Sequence, residues 1–216
     1  MTLPKLSLRL HGGMTASACV ELAVAAEQAG FAGVWFAENA FGRGILPAAA
    51  ACAVATRRLQ IGAGVFNPFS RHPTMMAMEI GALDELAQGR ASISVGSGIA
   101  AQAAKIGHSA EKPVGALRDT LLILRALLDG NTAEHTGTFS ARGVTLDFKP
   151  RAGLPIHLAG RGDLTVKLCG TLADGLIVSN MCSAGFSARA AQLLGESWTQ
   201  ARRTGAPAVI QYMPCA

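Results

Sequence analysis

Apolar residues recur along this chain at two spacings, and their alternation predicts strands and helices in turn. Leu6, Leu8 and Leu10 follow the two-residue period of a strand, and Thr15 then caps a helix that Gly30 ends. The same alternation continues through the rest of the chain. It predicts seven strands, at residues 6–10, 33–37, 59–66, 91–98, 156–159, 176–179 and 208–212, and helices at 15–28, 46–55, 73–88, 113–129, 164–172 and 187–203.

Two of the predicted helices have a clear apolar period. Pro73 and Pro113 begin them, because a proline needs no hydrogen-bond donor in the first turn, and Gly89 and Gly130 end them. The recurring apolar positions are Met75, Met78, Leu83 and Leu86 in the first helix and Leu117, Leu121, Leu124 and Leu128 in the second. Residues 132–150 contain short alternating runs and two glycines, which predict an excursion in the form of a hairpin.

Strands that alternate with helices through short connections indicate an all-parallel sheet. An open doubly wound sheet and a closed (β/α)₈ TIM barrel both satisfy this pattern. No G-x-G-x-x-G follows the first strand, which weakens the dinucleotide-binding open sheet. Polar residues follow the strand ends, where a barrel has its active site: His11, Glu38, Asn67, Ser97, Arg161 and Asn180. We therefore expect a barrel, and because such a domain takes about 250 residues, we expect strand 8 and the final helices to be missing.

Composition excludes several classes of protein. Half of the 216 residues are apolar and 15% are charged, which indicates one well-buried globular domain over 1–216. The net charge of +5 comes without a Lys/Arg run interleaved with aromatics, so we expect no nucleic-acid partner. The five cysteines are odd in number and scattered, which favours free thiols in a reducing compartment over disulfides or a zinc site, and we expect no metal.

The sequence also predicts a cytoplasmic protein without a membrane segment. Residues 1–13 lack the apolar core of a secretion signal, and the most apolar run, ILPAAAACAVA, is too short to cross a bilayer. No H-E-x-x-H, G-x-S-x-G or P-loop sequence occurs, which argues against metalloprotease, hydrolase and nucleotide-triphosphatase chemistry.

Several longer stretches together resemble the luciferase-like monooxygenase superfamily of flavin- and deazaflavin-dependent enzymes, and within it the branch containing methylenetetrahydromethanopterin reductase. They are AEQAGFAGVWFAEN, LQIGAGVFNPFSRHPTMMAMEIGALDELAQGRASISVGSG, the Lys112-Pro113 helix start, PIHLAGRG and GTLADGLIVSN. The resemblance implies a (β/α)₈ barrel of the bacterial luciferase type with an excursion before strand 5, which matches residues 132–150. It also implies a bulged third strand in which a non-prolyl cis peptide, here Gly64-Val65, supports the coenzyme ring; a simple strand bulge is the alternative.

The resemblance assigns roles to individual residues near that ring. Glu38 lies where the family has an acidic residue, so it is the expected catalytic residue, hydrogen-bonding ring or substrate or relaying a proton; otherwise it is a solvated loop carboxylate. Asn67 either hydrogen-bonds the ring edge or only begins the Asn-Pro turn. Ser97 and Gly98 end the fourth strand, where the backbone is expected to approach the coenzyme. Relatives often have an acidic residue just beyond, but the next two residues here are apolar.

Gly160, Arg161 and Gly162 form a candidate anion site. Backbone N–H groups at a helix start, together with one guanidinium, suit a phosphate; an ordinary loop with an exposed arginine is the alternative. In the family this loop is similar to one that holds the phosphate side of the coenzyme. Asp163 follows and either opposes an anion or caps the helix.

Other polar residues are predicted to be structural. Arg71 and His72 lie in the NPFSRHP loop and are interpreted as structural residues. His157 lies inside a strand, which favours a histidine of the core or of the barrel interior over a ligand.

The resemblance implies an oxidoreductase that transfers a hydride between a bound deazaflavin, coenzyme F(420), and a small organic substrate. The alternative within the family is an FMN-dependent monooxygenase. The alternative from another class is a truncated, catalytically inactive coenzyme-binding remnant, because a barrel without its last strand has unpaired edges. Members of the family often associate as dimers, which makes a homodimer the form that the resemblance suggests.

Overall fold

The computed structural model describes residues 4–109 and 111–215, in which nine strands and seven helices form. The strands are β1 (Ser7–His11), β2 (Gly33–Ala37), β3 (Gln60–Phe66), β4 (Ala91–Gly96), β5 (Ala133–His135), β6 (Ala141–Val144), β7 (Ile156–Ala159), β8 (Gly175–Val178) and β9 (Ala208–Gln211). The helices are α1 (Ala16–Gln28), α2 (Ile45–Ala55), α3 (Pro73–Leu86), α4 (Ala100–Ala104), α5 (Pro113–Leu128), α6 (Asp163–Leu172) and α7 (Ala184–Gln200). Each predicted strand and helix is present, and its ends lie within three residues of the expected ones.

Seven of the strands form one parallel sheet in the order β1-β2-β3-β4-β7-β8-β9. The remaining two, β5 and β6, pair only with each other, antiparallel, and form the hairpin expected within 132–150. In the described residues the sheet therefore has seven strands, whereas a closed barrel of this class has eight.

Contacts across the sheet show that it curls as a barrel does. The Arg9 guanidinium, on β1, lies 5.1 Å from the ring centroid of Tyr212, which follows β9. In a flat sheet the first and seventh strands would be about 29 Å apart, since neighbouring strands are spaced by about 4.8 Å. The barrel-type fold predicted from the sequence is therefore confirmed, and the open doubly wound sheet is excluded.

The main core lies between the sheet and the surrounding helices. On α5 the predicted buried face is correct, because Leu117, Leu121, Leu124 and Leu128 are at most 1% exposed. On α3 three of the four recurring apolar positions lie off the buried face, because Met75, Met78 and Leu86 are 47%, 41% and 46% exposed, whereas Leu83 is buried. The buried positions include Met76, Ala77, Ile80 and Leu83. The helix has more apolar residues than one face needs, so spacing alone did not identify which stripe faces the sheet.

One tryptophan and one histidine from distant strands pack together inside the barrel. The rings of Trp35 on β2 and His157 on β7 lie 5.3 Å apart, although β3 and β4 separate their strands. Gly62 makes room for this arrangement, because a Cβ atom at that position would lie 2.2 Å from the Trp35 ring. His157 is 6% exposed and its Nδ1 atom has no hydrogen-bond partner among the described residues, so it is the interior histidine that the sequence predicted.

A partly buried carboxylate holds the amino-terminal ends of β7 and β8. Asp174 accepts hydrogen bonds from Ile156 N at 2.8 Å, Arg125 Nη2 at 2.6 Å and Arg203 Nη2 at 2.9 Å. Burial opposes ionisation of Asp174, but these donors and the two guanidiniums hold its pKa below the ordinary value. This part of the GTLADG stretch therefore has a structural role at the end of the barrel opposite the strand carboxyl ends.

All five cysteines are free thiols, as the sequence predicted. Among the described residues, none of the helices combines the length and the apolar character that a membrane span requires.

The buried histidine predicts how stability depends on pH. Burial lowers the pKa of His157 from 6.5 to about 4, so between these pH values the unfolded chain binds a proton that the folded chain excludes. The contribution of neutral His157 to the free energy of unfolding should therefore be complete above pH 6.5. As the pH drops to 4, the free energy of unfolding should fall by about 3 kcal/mol. Urea unfolding at pH 7, 6, 5 and 4 measures this loss, and His157→Gln should remove most of it.

The matched control is His108→Gln, which removes an exposed histidine and should leave the pH dependence of the wild type intact. Glu38 opposes this loss of stability at low pH because its pKa is raised. The quantity to compare is therefore the pH-dependent change in the free energy of unfolding of His157→Gln against that of His108→Gln. An equal loss of stability in wild type and His157→Gln between pH 6.5 and 5 would contradict the assignment.

Candidate functional site

A cavity of about 450 Å³ opens at the carboxyl ends of β2, β3 and β4. Three segments that follow these strands form its walls: the loop after β2, the loop after β3, and the turn leading into α4 together with α4 and the residues just after it. The lining residues are those at 38–44 with Val65, Asn67, Ser70, Arg71, Gly98, Ile99, Gln102, Ala103 and Ile106. Because all strands of the sheet are parallel, their carboxyl ends meet at this one face.

A bulge in β3 turns Val65 into the cavity. The register between β3 and β4 shifts between Ala63 and Phe66, and the Gly64–Val65 peptide bond is cis, as the resemblance implied. Ser94 supports the bulge from β4, because its Oγ donates a hydrogen bond to Ala63 O at 3.3 Å. Gly64 has a φ of +125°, and a Cβ atom there would lie 2.2 Å from the Ser94 carbonyl oxygen, so a side chain has no room at this position.

Asn67, which follows β3, and Gly98, which follows β4, are packed against each other. The Asn67 side chain accepts a hydrogen bond from Phe69 N through Oδ1 at 3.0 Å, which fixes the turn at Asn67-Pro68. A Cβ atom on Gly98 would lie 2.4 Å from Asn67 Nδ2, so only glycine allows this approach. Asn67 thus begins the turn and also lines the cavity with Gly98.

Glu38 belongs to a chain of three charged groups. Arg71 Nη2 donates to Glu38 Oε1 at 3.3 Å, and Arg71 Nη1 donates to Glu79 on α3. Burial raises the pKa of Glu38 above its ordinary value, Arg71 opposes the rise, and Glu79 adds to it as a like charge. The carboxyl group can therefore hold a proton at higher pH than a solvated glutamate would.

Arg71 is a residue of the candidate site that the sequence did not indicate. Its guanidinium lies 5.1 Å from the centroid of the Phe66 ring, and it lines the cavity. Its ion pair with Glu38 joins the loops after β2 and β3, and its ion pair with Glu79 joins the second loop to α3. The partner Glu38 is 33 positions away in the chain, so no local pattern signals the pairing. His72, by contrast, is structural as predicted, since its Nδ1 accepts a hydrogen bond from Thr74 N at the start of α3.

The candidate anion site lies one strand further along the sheet. β7 pairs with β4 at Gly96 and Ala159, and residues 160–162 follow directly, with Gly162 as the N-cap of α6. A glycine has no side chain to cap the first helical amides, which leaves them available to an anion. Arg161 is exposed, and Asp163 forms an ion pair with Arg189, which reduces the opposing charge that the sequence analysis noted.

The structure brings four of the nine predicted site residues into one cavity: Glu38, Val65, Asn67 and Gly98. Gly64 lies behind Val65 in the bulge. Ser97, Gly160, Arg161 and Gly162 follow the ends of β4 and β7 and do not line this cavity. These five positions are close to the cavity in the sheet order but remain predicted contacts.

Known proteins match between 71% and all of this chain. The family model described as "Luciferase-like monooxygenase" matches residues 1–216. The chain is 31% identical over 155 residues to 5,10-methylenetetrahydromethanopterin reductase of Archaeoglobus fulgidus, a match that covers 71% of this chain and 46% of that protein. It is 31% identical over 170 residues to F(420)-dependent glucose-6-phosphate dehydrogenase of Beutenbergia cavernae, covering 73% and 51%.

A solved structure shares the fold. The coenzyme F(420)-dependent tetrahydromethanopterin reductase of Methanopyrus kandleri superimposes with a TM-score of 0.84 at 24% identity, over 93% of this chain and 62% of that chain. The chain thus spans about half the length of the two curated relatives and under two thirds of this structure.

The ion pairs among Glu38, Arg71 and Glu79 predict that two substitutions shift the pKa of Glu38 in opposite directions. Arg71→Gln removes the cation beside Glu38 and should raise the pKa of Glu38 further, whereas Glu79→Gln removes a like charge and should lower it. Carboxyl-carbon NMR titration of glutamate-labelled protein measures both shifts. If the pKa of Glu38 moves in neither variant, the three groups are not coupled in solution.

Proposed function

The chain belongs to the luciferase-like monooxygenase family, and on that premise we propose that it is an oxidoreductase that transfers a hydride between a bound deazaflavin coenzyme and a small organic substrate. One observation carries the proposal: residues that the family resemblance assigns to the coenzyme site converge from three separate strands on one cavity. The names of the two curated relatives, a reductase and an F(420)-dependent dehydrogenase, support this reaction class. They differ in substrate, so the substrate of this chain is left as a small organic molecule.

The cavity is large enough for a coenzyme ring. Its volume of about 450 Å³ lies within the range of cofactor pockets. A Cβ atom on Gly96 would lie 2.6 Å from Val65 Cγ1, so the absence of a side chain lets the bulge pack directly on β4. We assign Gly64 and Val65 to the support of the ring, Asn67 to its polar edge, and Ser97 and Gly98 to its close backbone contacts.

Glu38 is the residue that we assign to catalysis. Its pKa is raised by burial, so it can hold a proton where a hydride transfer needs one supplied or removed. Arg71 limits this rise and fixes the carboxyl group in place. A bound deazaflavin supplies hydride chemistry, and the protein supplies position and electrostatics.

The loop at 160–162 is assigned to the anionic side of the coenzyme. The amides at the start of α6 and the Arg161 guanidinium suit a phosphate, and Arg189 neutralises the nearby Asp163. We further expect a cytoplasmic protein without a nucleic-acid partner that forms a homodimer, as the resemblance suggests.

Titration with coenzyme F(420) and with FMN, followed by fluorescence quenching, tests the proposed function. We expect saturable binding of F(420) and weaker or no binding of FMN. Binding of FMN alone would replace the proposal with an FMN-dependent monooxygenase. Binding of neither coenzyme would refute it and would favour the inactive remnant.

Arg161→Ala tests the anion site separately. Loss of one charge-assisted hydrogen bond should weaken F(420) binding about tenfold. Arg57→Ala, which removes an exposed arginine between α2 and β3 at the opposite end of the sheet, is the matched control and should bind as the wild type does. Equal affinity of the two variants would refute the assignment of Arg161.

A further inference from the structure

A buried carboxylate on α5, Asp119, contacts the β5–β6 hairpin at two points. Asp119 Oδ1 lies 2.9 Å from His135 Nε2, and Asp119 Oδ2 accepts a hydrogen bond from Thr138 N at 2.7 Å. Asp119 is 8% exposed, so both contacts are shielded from water. The hairpin tip, residues 136–140, is thereby held at one place along the helix.

The close approach at the tip depends on a glycine. A Cβ atom at Gly137 would lie 2.3 Å from Asp119 Oδ2, so the backbone packs directly on the carboxylate. Gly137 N also donates to Ser140 Oγ at 3.5 Å. The tip is therefore a fixed turn with little freedom to slide along α5.

This fixed tip presents Phe139 to a small apolar cluster next to the cavity. The Phe139 ring meets Phe69 edge-on, with ring centroids 5.5 Å apart, and meets His72 at 5.9 Å with an interplanar angle of 87°. Phe139 also packs with Ala103 and Ala116, which are buried with Phe69 in a cluster separate from the main core, and it packs against the main core as well. Edge-on aromatic pairs of this kind stabilise a packing arrangement beyond the area they bury.

Two members of this cluster belong to the cavity walls. Phe69 N donates the hydrogen bond that orients Asn67, and the loop that contains both residues also contributes Ser70 and Arg71 to the cavity. Ala103 lines the cavity itself, as part of α4. The walls formed by the loop after β3 and by α4 thus meet behind the cavity at the ring of Phe139.

We infer that the hairpin positions these two walls and that Phe139, acting through Phe69 and Ala103, is a positioning residue for the ring site. The identity of the ligand in this inference rests on the proposed function. The coupling of the hairpin to the cavity wall rests on the contacts of Phe139 alone. Among the described residues, the partners given above for Phe139 are Phe69, His72, Ala103 and Ala116, and these four are not predicted coenzyme contacts. The effect of the hairpin is to hold Asn67 and α4 at the separation that the ring requires.

Phe139→Ala is the principal test, with coenzyme F(420) as the ligand. It should weaken binding roughly tenfold, because the loop and α4 lose their common support. Val144→Ala removes a half-buried side chain from β6 of the same hairpin that packs on the main core, and is the matched control. It should lower the free energy of unfolding while leaving affinity within about twofold. Equal losses of affinity in the two variants would overturn the inference.

Two other variants separate positioning from general destabilisation. Phe139→Leu keeps an apolar side chain and should restore most of the affinity that Phe139→Ala loses. Asp119→Ala releases the tip without changing a cavity residue and should weaken binding several-fold. Unchanged affinity in both Phe139→Ala and Asp119→Ala overturns the inference.

Hydrogen exchange gives a readout that needs no coenzyme. The amides of Ser70 and Arg71 donate to Asn67 O at 3.0 and 3.1 Å, so their exchange reports the order of the loop. Phe139→Ala should speed exchange at these amides, and Val144→Ala should not. Equal exchange rates in the wild type and Phe139→Ala would refute the coupling between the hairpin and the loop after β3. If the wild type fails to bind F(420), the proposed function fails alone, and exchange decides the inference.

Discussion

The break in register between β3 and β4 is the constraint on which the rest of the candidate site depends. Elsewhere the parallel ladder pairs one residue with one residue, but between Ala63 and Phe66 two residues of β3 face Ser94 alone. Val65 leaves the ladder there and enters the cavity. Glycines at 64 and 96 are needed on either side, because a side chain at either position would overlap Ser94 or Val65. The bulge thus converts a packed strand into one wall of a binding cavity.

Charge then organises the mouth of this cavity. Arg71 connects Glu38 to Glu79 and so ties the loop after β2 to the loop after β3 and to α3. Since burial disfavours the ionised form of Glu38 while Arg71 favours it, the proton affinity of this carboxyl results from two opposed effects. The same guanidinium therefore serves both the shape and the electrostatics of the site.

Periodicity and end signals were sufficient to predict the elements and the parallel sheet, because caps, prolines and glycines act within a few residues. Thr15, for example, accepts a hydrogen bond from Ala18 N at the start of α1, as its position before the helix indicated. The buried stripe of α3 was not predictable in this way, since Met75, Met76 and Ala77 are all apolar and only the tertiary packing selects among them. Within the site, the strand-end rule located Glu38 and Asn67, whereas Arg71 required a contact with a residue 33 positions away. The Phe139 cluster likewise joins four segments that are remote in sequence.

The packing of Trp35 on Gly62 has an evolutionary consequence. The two residues are direct partners in the β2–β3 ladder, and the ring occupies the space that any larger residue at 62 would need. A change at one position is therefore tolerated only with a compensating change in size at the other. Among homologous barrels, the residues at these two positions should covary, with a large ring facing glycine or a smaller side chain on each, even where the rest of the two strands has diverged.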